Sequence, residues 1–103
     1  MYRQGDILLI PVDRNTTKYG EQIPPEAERV ILALGEATGH AHALSAKLAV
    51  LYAIANSTDR LLRTKPGALL VHEEHDNIPL PEGDYIVRRQ REYTPEKIKP
   101  VTD

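Results

Sequence analysis

Apolar residues in this chain come in short runs, and most of the runs are closed by a residue that bends the backbone. Runs at 6–12, 29–34, 41–44, 48–55, 61–64, 68–72 and 85–91 are mostly bounded by Gly, Pro, Asn or Asp. Short strands with turn signals at such close spacing predict an all-β domain, a small barrel or sandwich. Lys65-Pro66-Gly67 places proline and glycine where a type II turn wants them, and Pro81-Glu82-Gly83-Asp84 repeats the device. Helix competes only over 45–55, where Ala is frequent. There Val50, Leu51, Tyr52 and Ile54 form a run of strand-like length, so strand is expected. Pro11 places the end of the first buried strand at a sheet edge.

With 103 residues the chain is expected to form one domain over 1–103. Within it, 13–27 reads as a long loop, because Asn15, Gly20, Pro24 and Pro25 interrupt any periodicity. The tail at 94–103 opens on a short helical turn, with Thr94 as N-cap and Pro95 at the first helical position. A domain of this size leaves little room for a closed internal pocket, so a groove or a subunit interface is the expected ligand site. Five Tyr with no Phe and no Trp make the core aliphatic. A net charge of −2 argues against binding long nucleic acid by phosphate neutralisation. No cysteine is present, so thiolate metal sites, disulfides and thiol nucleophiles are excluded. The first residues lack the apolar core of a signal peptide, and no apolar run reaches the roughly 20 residues of a membrane helix. A cytoplasmic protein without membrane contact is expected.

All four histidines fall into two motifs, Gly39-His40-Ala41-His42-Ala43-Leu44 and Leu70-Val71-His72-Glu73-Glu74-His75-Asp76. At strand spacing His40 and His42 project from one face, and both can address one ligand. His72 ends an apolar strand, and His75 follows in a turn. A single histidine at a strand end is usually a satisfied polar residue; two doublets make chance placement a poor account.

Two chemistries use such doublets. His40 and His42 on one strand with His72 from another could hold a transition metal. Gly35, His40 and His42, then Pro66, Gly67, His72 and Asn77, resemble in order the two motifs of cupins. No acidic residue follows His42 until Asp59, so the carboxylate ligand usual in cupins is absent. The second chemistry needs neither metal nor cofactor. A ribose 2′-hydroxyl attacks the adjacent phosphorus, one side chain accepts its proton, a histidine donates to the leaving 5′-oxygen, and a cation stabilises the phosphorane. Histidine suits both proton transfers because its unperturbed pKa lies near 6.5.

The segment Tyr85-Ile86-Val87-Arg88-Arg89-Gln90-Arg91-Glu92-Tyr93 starts as a core strand and ends charged. Alternation puts Tyr85, Val87, Arg89, Arg91 and Tyr93 on one face and Ile86, Arg88, Gln90 and Glu92 on the other. Arginines hold phosphate and phenol rings stack on a base. The competing reading pairs these arginines with the acidic stretch Glu73, Glu74, Asp76, Glu82 and Asp84 on neighbouring strands. Thr38 and Gly39, next to His40, could bring backbone amides to a phosphate, although the segment is no Walker or dinucleotide fingerprint.

Taken together, the set from Arg3 to Val12, Gly35-Glu36-Ala37-Thr38-Gly39-His40-Ala41-His42, His72-Glu73-Glu74-His75 and the Tyr85 to Tyr93 segment resembles a family of small bacterial, plasmid and prophage proteins. That family is similar to the small β-barrel ring nucleases of type III CRISPR defence. The resemblance implies metal-independent linearisation of cyclic oligoadenylate, which switches the defence response off. It implies proton transfer or substrate orientation by His40, His42, His72 and His75, phosphate contacts from Arg88, Arg89 and Arg91, and adenine stacking on Tyr93 or Tyr2. A symmetric cyclic ligand further suggests a homodimer offering one groove per subunit. A cupin-like metal protein and a non-catalytic nucleotide-binding module are the alternatives.

Overall fold

A computed structural model describes residues 1–34 and 40–90. Among them are ten strands and no helix: β1 (Tyr2–Gln4), β2 (Ile7–Val12), β3 (Gln22–Ile23), β4 (Arg29–Leu34), β5 (Ala41–Ser45), β6 (Ala49–Ala53), β7 (Arg60–Thr64), β8 (Ala68–His72), β9 (His75–Leu80) and β10 (Gly83–Arg89). They form two antiparallel sheets, one ordered β1-β2-β10-β7-β6-β3 and the other β4-β5-β8-β9. The fold is all-β and sandwich-like, not a closed barrel. No described helix is long and apolar enough to cross a membrane. The helical turn expected from Thr94 lies outside the described residues.

The core is aliphatic. Ile7, Leu9, Leu44, Leu51, Leu62, Leu70 and Leu80 are almost fully buried in one cluster. Tyr85 joins them, its hydroxyl donating to the Pro81 carbonyl at 2.6 Å. Residues 45–55 are strand, turn and strand, so tertiary pairing overrides the helix propensity of the alanines. Pro11 falls where β1 has already ended: β1 pairs only with Ile7, Leu8 and Leu9, and beyond them β2 has a neighbour on one side. A missing N–H costs nothing there.

Gly67 has φ +91, and the Ala68 amide donates to the Lys65 carbonyl, as the type II turn requires. The second expected turn is built differently. Around Pro81 and Gly83 the chain is stitched by Thr64, whose hydroxyl donates to the Pro81 carbonyl and accepts from the Gly83 amide.

The stretch 13–27 is less free than a bare loop. It contains β3, paired with Leu51 and Tyr52, and the Gly20 amide donates to the Ala53 carbonyl. At its end Ala27 and Glu28 both have positive φ, closing a hairpin in which Glu26 and Arg29 exchange backbone hydrogen bonds. The sequence hides this turn because it lacks the Asn-Gly or Asp-Gly that such backbone angles favour. Through β3 the stretch is fastened to the edge of the six-stranded sheet opposite β1.

Candidate functional site

The site lies where the β1–β2 turn of one sheet meets the ends of β5, β8 and β9 in the other. The register fixed by Ala43 opposite Val71 sets His42 across from His72, and His72 in turn pairs with His75. Three imidazoles therefore form a row across three strands, on the face that Leu44 and Leu70 use for the core. The ring centroids of His42 and His72 are 4.3 Å apart, and those of His72 and His75 are 4.7 Å apart. His40, two residues before His42, brings its ring to 5.8 Å from His72. All four histidines lie close together, with His72 at the centre. One detail changes: His75 is not in the turn but opens β9, and Glu73 and Glu74 make the turn.

Two residues that sequence reasoning passed over hold this row. The Gln4 side chain is 2% exposed. Its amide nitrogen donates to the Asp76 carbonyl at 2.9 Å and the Leu70 carbonyl at 3.3 Å. With both donors used, its oxygen can only accept, and it lies 2.9 Å from Nδ1 of His42. His42, itself almost fully buried, therefore carries its proton on Nδ1 and its lone pair on Nε2. Asp6 Oδ1 stands 3.7 Å from that Nε2, while Asp6 Oδ2 accepts from Arg89 Nε at 2.8 Å.

His72 has the opposite tautomer. Its Nδ1 accepts the Glu74 backbone N–H at 3.0 Å, which leaves the ring proton on Nε2. Neighbouring imidazoles thus present a bare Nε2 on His42 and an N–H on His72. Nδ1 of His40 is buried and makes no hydrogen bond among the described residues; Glu74 Oε1 stands 3.5 Å from it. Glu73 accepts the Ala41 amide at 3.1 Å; the hydrogen bond from its own amide and then this one hold its carboxyl below the ordinary value.

Gly5 makes the approach of the two sheets possible. It occupies the first central position of the two-residue β1–β2 turn with φ +59, where a type II′ hairpin wants glycine. A Cβ there would come within 2.9 Å of His75 Nε2 and 3.2 Å of His42 Cε1. The Gly5-Asp6 pair is a readable hairpin signal, but only if the three residues of β1 are first recognised as a strand.

Electrostatics keep His42 neutral. Burial lowers its pKa from 6.5 to about 4, the neighbouring His72 adds to this, and the Asp6 carboxylate pulls the other way. Burial pushes the Asp6 carboxyl up, but the hydrogen bond and charge of Arg89 outweigh it and hold the group below its ordinary value. The folded protein therefore refuses a proton on His42 that the unfolded chain takes up near pH 6.5. Its contribution to stability is complete above about pH 6.5 and is lost as pH falls toward 4, at up to about 1.4 kcal/mol per unit. Urea unfolding at pH 7.5 and 5.0 is expected to show about 2 kcal/mol of acid destabilisation from this residue. His42→Asn, which keeps an N–H for Gln4 but cannot titrate, should lose correspondingly less; equal losses would contradict the assignment.

The arginines divide as the alternation predicts. Arg89 shares the inner face of β10 with Tyr85 and Val87, and its pair with Asp6 adjoins His42. Arg88 is on the outer face, bound through Nε and Nη2 to Asp59, and takes no part in the site. Arg88 pairs with Asp59 and Arg89 with Asp6, carboxylates that strand order places beside β10. Asp84 pairs instead with Arg63. Tyr2 packs edge-on against Tyr85, centroids 6.0 Å apart, at the margin of the core cluster. Thr38, Gly39, Arg91 and Tyr93 lie outside the described residues. Among the described residues no three His, Cys, Asp or Glu side chains converge as ligands of one metal ion, so His40, His42 and His72 are neighbours without being arranged as a joint metal set.

No curated protein and no solved structure matches the chain. A family described as a domain of unknown function, DUF8820, matches residues 3–90, a span that contains Gln4, the four histidines and Arg89. The chain belongs to the DUF8820 family.

Proposed function

We propose that the protein is a metal-independent phosphodiesterase, a ring nuclease that linearises cyclic oligoadenylate and so regulates or counters type III CRISPR defence. The observation that carries this reading is the pair of facing imidazoles with opposite tautomers, fixed by Gln4 on one side and the Glu74 amide on the other. Acid–base cleavage of an RNA phosphodiester needs a lone pair and N–H donors within the span of one phosphate.

Nε2 of His42 takes the proton of the ribose 2′-hydroxyl as its oxygen attacks the adjacent phosphorus. The P–O5′ bond breaks, and the leaving oxygen takes a proton from His40, whose cationic form Glu74 accompanies. The products are a 2′,3′-cyclic phosphate and a free 5′-hydroxyl. Nε2–H of His72 donates to a non-bridging oxygen, and Arg89, held by Asp6, adds positive charge beside it. His75 flanks the row and orients the phosphodiester. A base with a pKa of about 4 is weak in the empty site, but an entering phosphate supplies the negative charge that raises its proton affinity. A two-fold dimer presenting one histidine row per subunit matches the symmetry of a cyclic ligand.

The test is incubation with cyclic tetra-adenylate and cyclic hexa-adenylate in excess EDTA, read by chromatography. Linear products are expected from at least one ring. Absence of turnover of both over hours contradicts the reading, and tight binding without product selects a nucleotide-binding module instead.

A further inference from the structure

Beside the histidine row, beyond the Asp6–Arg89 pair, a cleft of about 380 Å³ opens between β4 and the β7–β10 pair. That size falls within the roughly 300–1,000 Å³ of small-molecule sites. One wall is apolar, from Ile7, Leu32 and Val87; the other carries Thr58, Arg60 and Arg89.

Arg60 is the unusual member. On β7 it shares a face with Leu62, a core residue, and it stands directly across from Val87 on β10. The pattern Arg60, Leu62, Thr64 thus puts a guanidinium where the next core side chain would sit. It is half-buried, and its side chain makes no hydrogen bond or ion pair among the described residues, unlike Arg63, Arg88 and Arg89. A half-buried cation with no anion beside it gives up hydration without return, and an anionic ligand restores the balance. An apolar wall a few ångströms away calls for a ring on that same ligand.

We propose that this cleft is a nucleotide subsite, in which Arg60 holds a phosphate and the wall of Ile7, Leu32 and Val87 receives the adjoining nucleobase. The assignment rests on the phosphodiesterase reading and deepens it: the cleft takes the nucleotide next to the phosphate that is cut at the histidines. Specificity for a base-bearing chain over a bare phosphate then comes from the apolar wall.

Titration of ¹⁵N-labelled wild-type protein with adenosine monophosphate tests it, with inorganic phosphate as the comparison. Saturable amide shifts centred on Leu32, Thr58, Arg60 and Val87 are expected with the nucleotide, at affinity at least about 10-fold above phosphate. Arg60→Gln should weaken nucleotide binding about 10-fold, with partial recovery in Arg60→Lys, and raise KM for a cyclic oligoadenylate with kcat little changed. Shifts confined to other regions, or equal affinity in wild type and Arg60→Gln, overturn the subsite. The wild-type shift map decides even if the variant fails to fold. Nucleotide bound in the cleft without any ring opening would leave the subsite standing and remove the phosphodiesterase reading; ring opening with wild-type KM in Arg60→Gln would do the reverse.

Discussion

Replacing His42 by alanine is expected to lower kcat/KM for cyclic oligoadenylate cleavage by about 10³, the middle of the range of about 10²–10⁴ for a positioned acid or base. The substitution removes the imidazole whose Nε2 lone pair the Gln4 contact fixes. It also leaves Gln4, buried and with both N–H groups committed, without a donor for its oxygen. A loss of stability of about 1–2 kcal/mol therefore accompanies the alanine variant. His42→Asn separates the two effects, because its amide N–H can satisfy Gln4 while no base remains. Its activity should fall as far as that of the alanine variant with stability at neutral pH largely kept. Activity within about 3-fold of wild type in His42→Asn would show that Nε2 does not carry the proton.

Asp84→Ala is expected to be strongly destabilising, costing about 3 kcal/mol. Asp84 is almost wholly buried, and both its oxygens accept from Arg63, Nε at 2.9 Å and Nη2 at 3.0 Å. That contact, ahead of the opposing burial, holds the Asp84 carboxyl below its ordinary value, and the same bond raises the pKa of Arg63. The guanidinium also donates to the Tyr19 hydroxyl and lies over the rings of Tyr19 and Tyr52. One ion pair thus ties the 13–27 stretch, β6, β7 and β10 together. Removing the carboxylate strands a partly buried cation, whereas replacing both partners by apolar residues avoids that penalty. Chemical denaturation should find the Arg63→Met, Asp84→Leu double variant more stable than Asp84→Ala. A single-variant loss below about 0.5 kcal/mol would mean that the pair contributes no more than a surface bridge.

The parts of the fold written in local patterns are those that sequence reading reaches. Lys65-Pro66-Gly67 carries its turn in its own residues, and the alternation of Tyr85, Val87 and Arg89 against Ile86 and Arg88 assigns the faces of β10 correctly. The histidine doublets are legible because each is local, and strand spacing alone sets His40 and His42 on one face. What brings the doublets together is the non-local register of β5 on β8, which no local pattern contains. Strand β9 escapes notice because His75, Asp76, Asn77 and Pro79 look like a turn; as an edge strand paired only with β8, it tolerates exposed polar residues and proline. Strand β1 is three residues long, too short to show a period. Gln4 and Asp6 are invisible for the same reason, since their importance lies in what the far sheet places against them. Arg60 is harder still: a cation inside an apolar strand gains meaning only once its face is known to look into the sandwich.

The chemistry of the cut ends tests the central claim most directly. Mass analysis of the products formed by wild-type protein in EDTA is expected to find 2′,3′-cyclic phosphate and 5′-hydroxyl termini, as attack by the 2′-oxygen demands. Products ending in 3′-hydroxyl and 5′-phosphate, or no products from any cyclic oligoadenylate, would contradict the account.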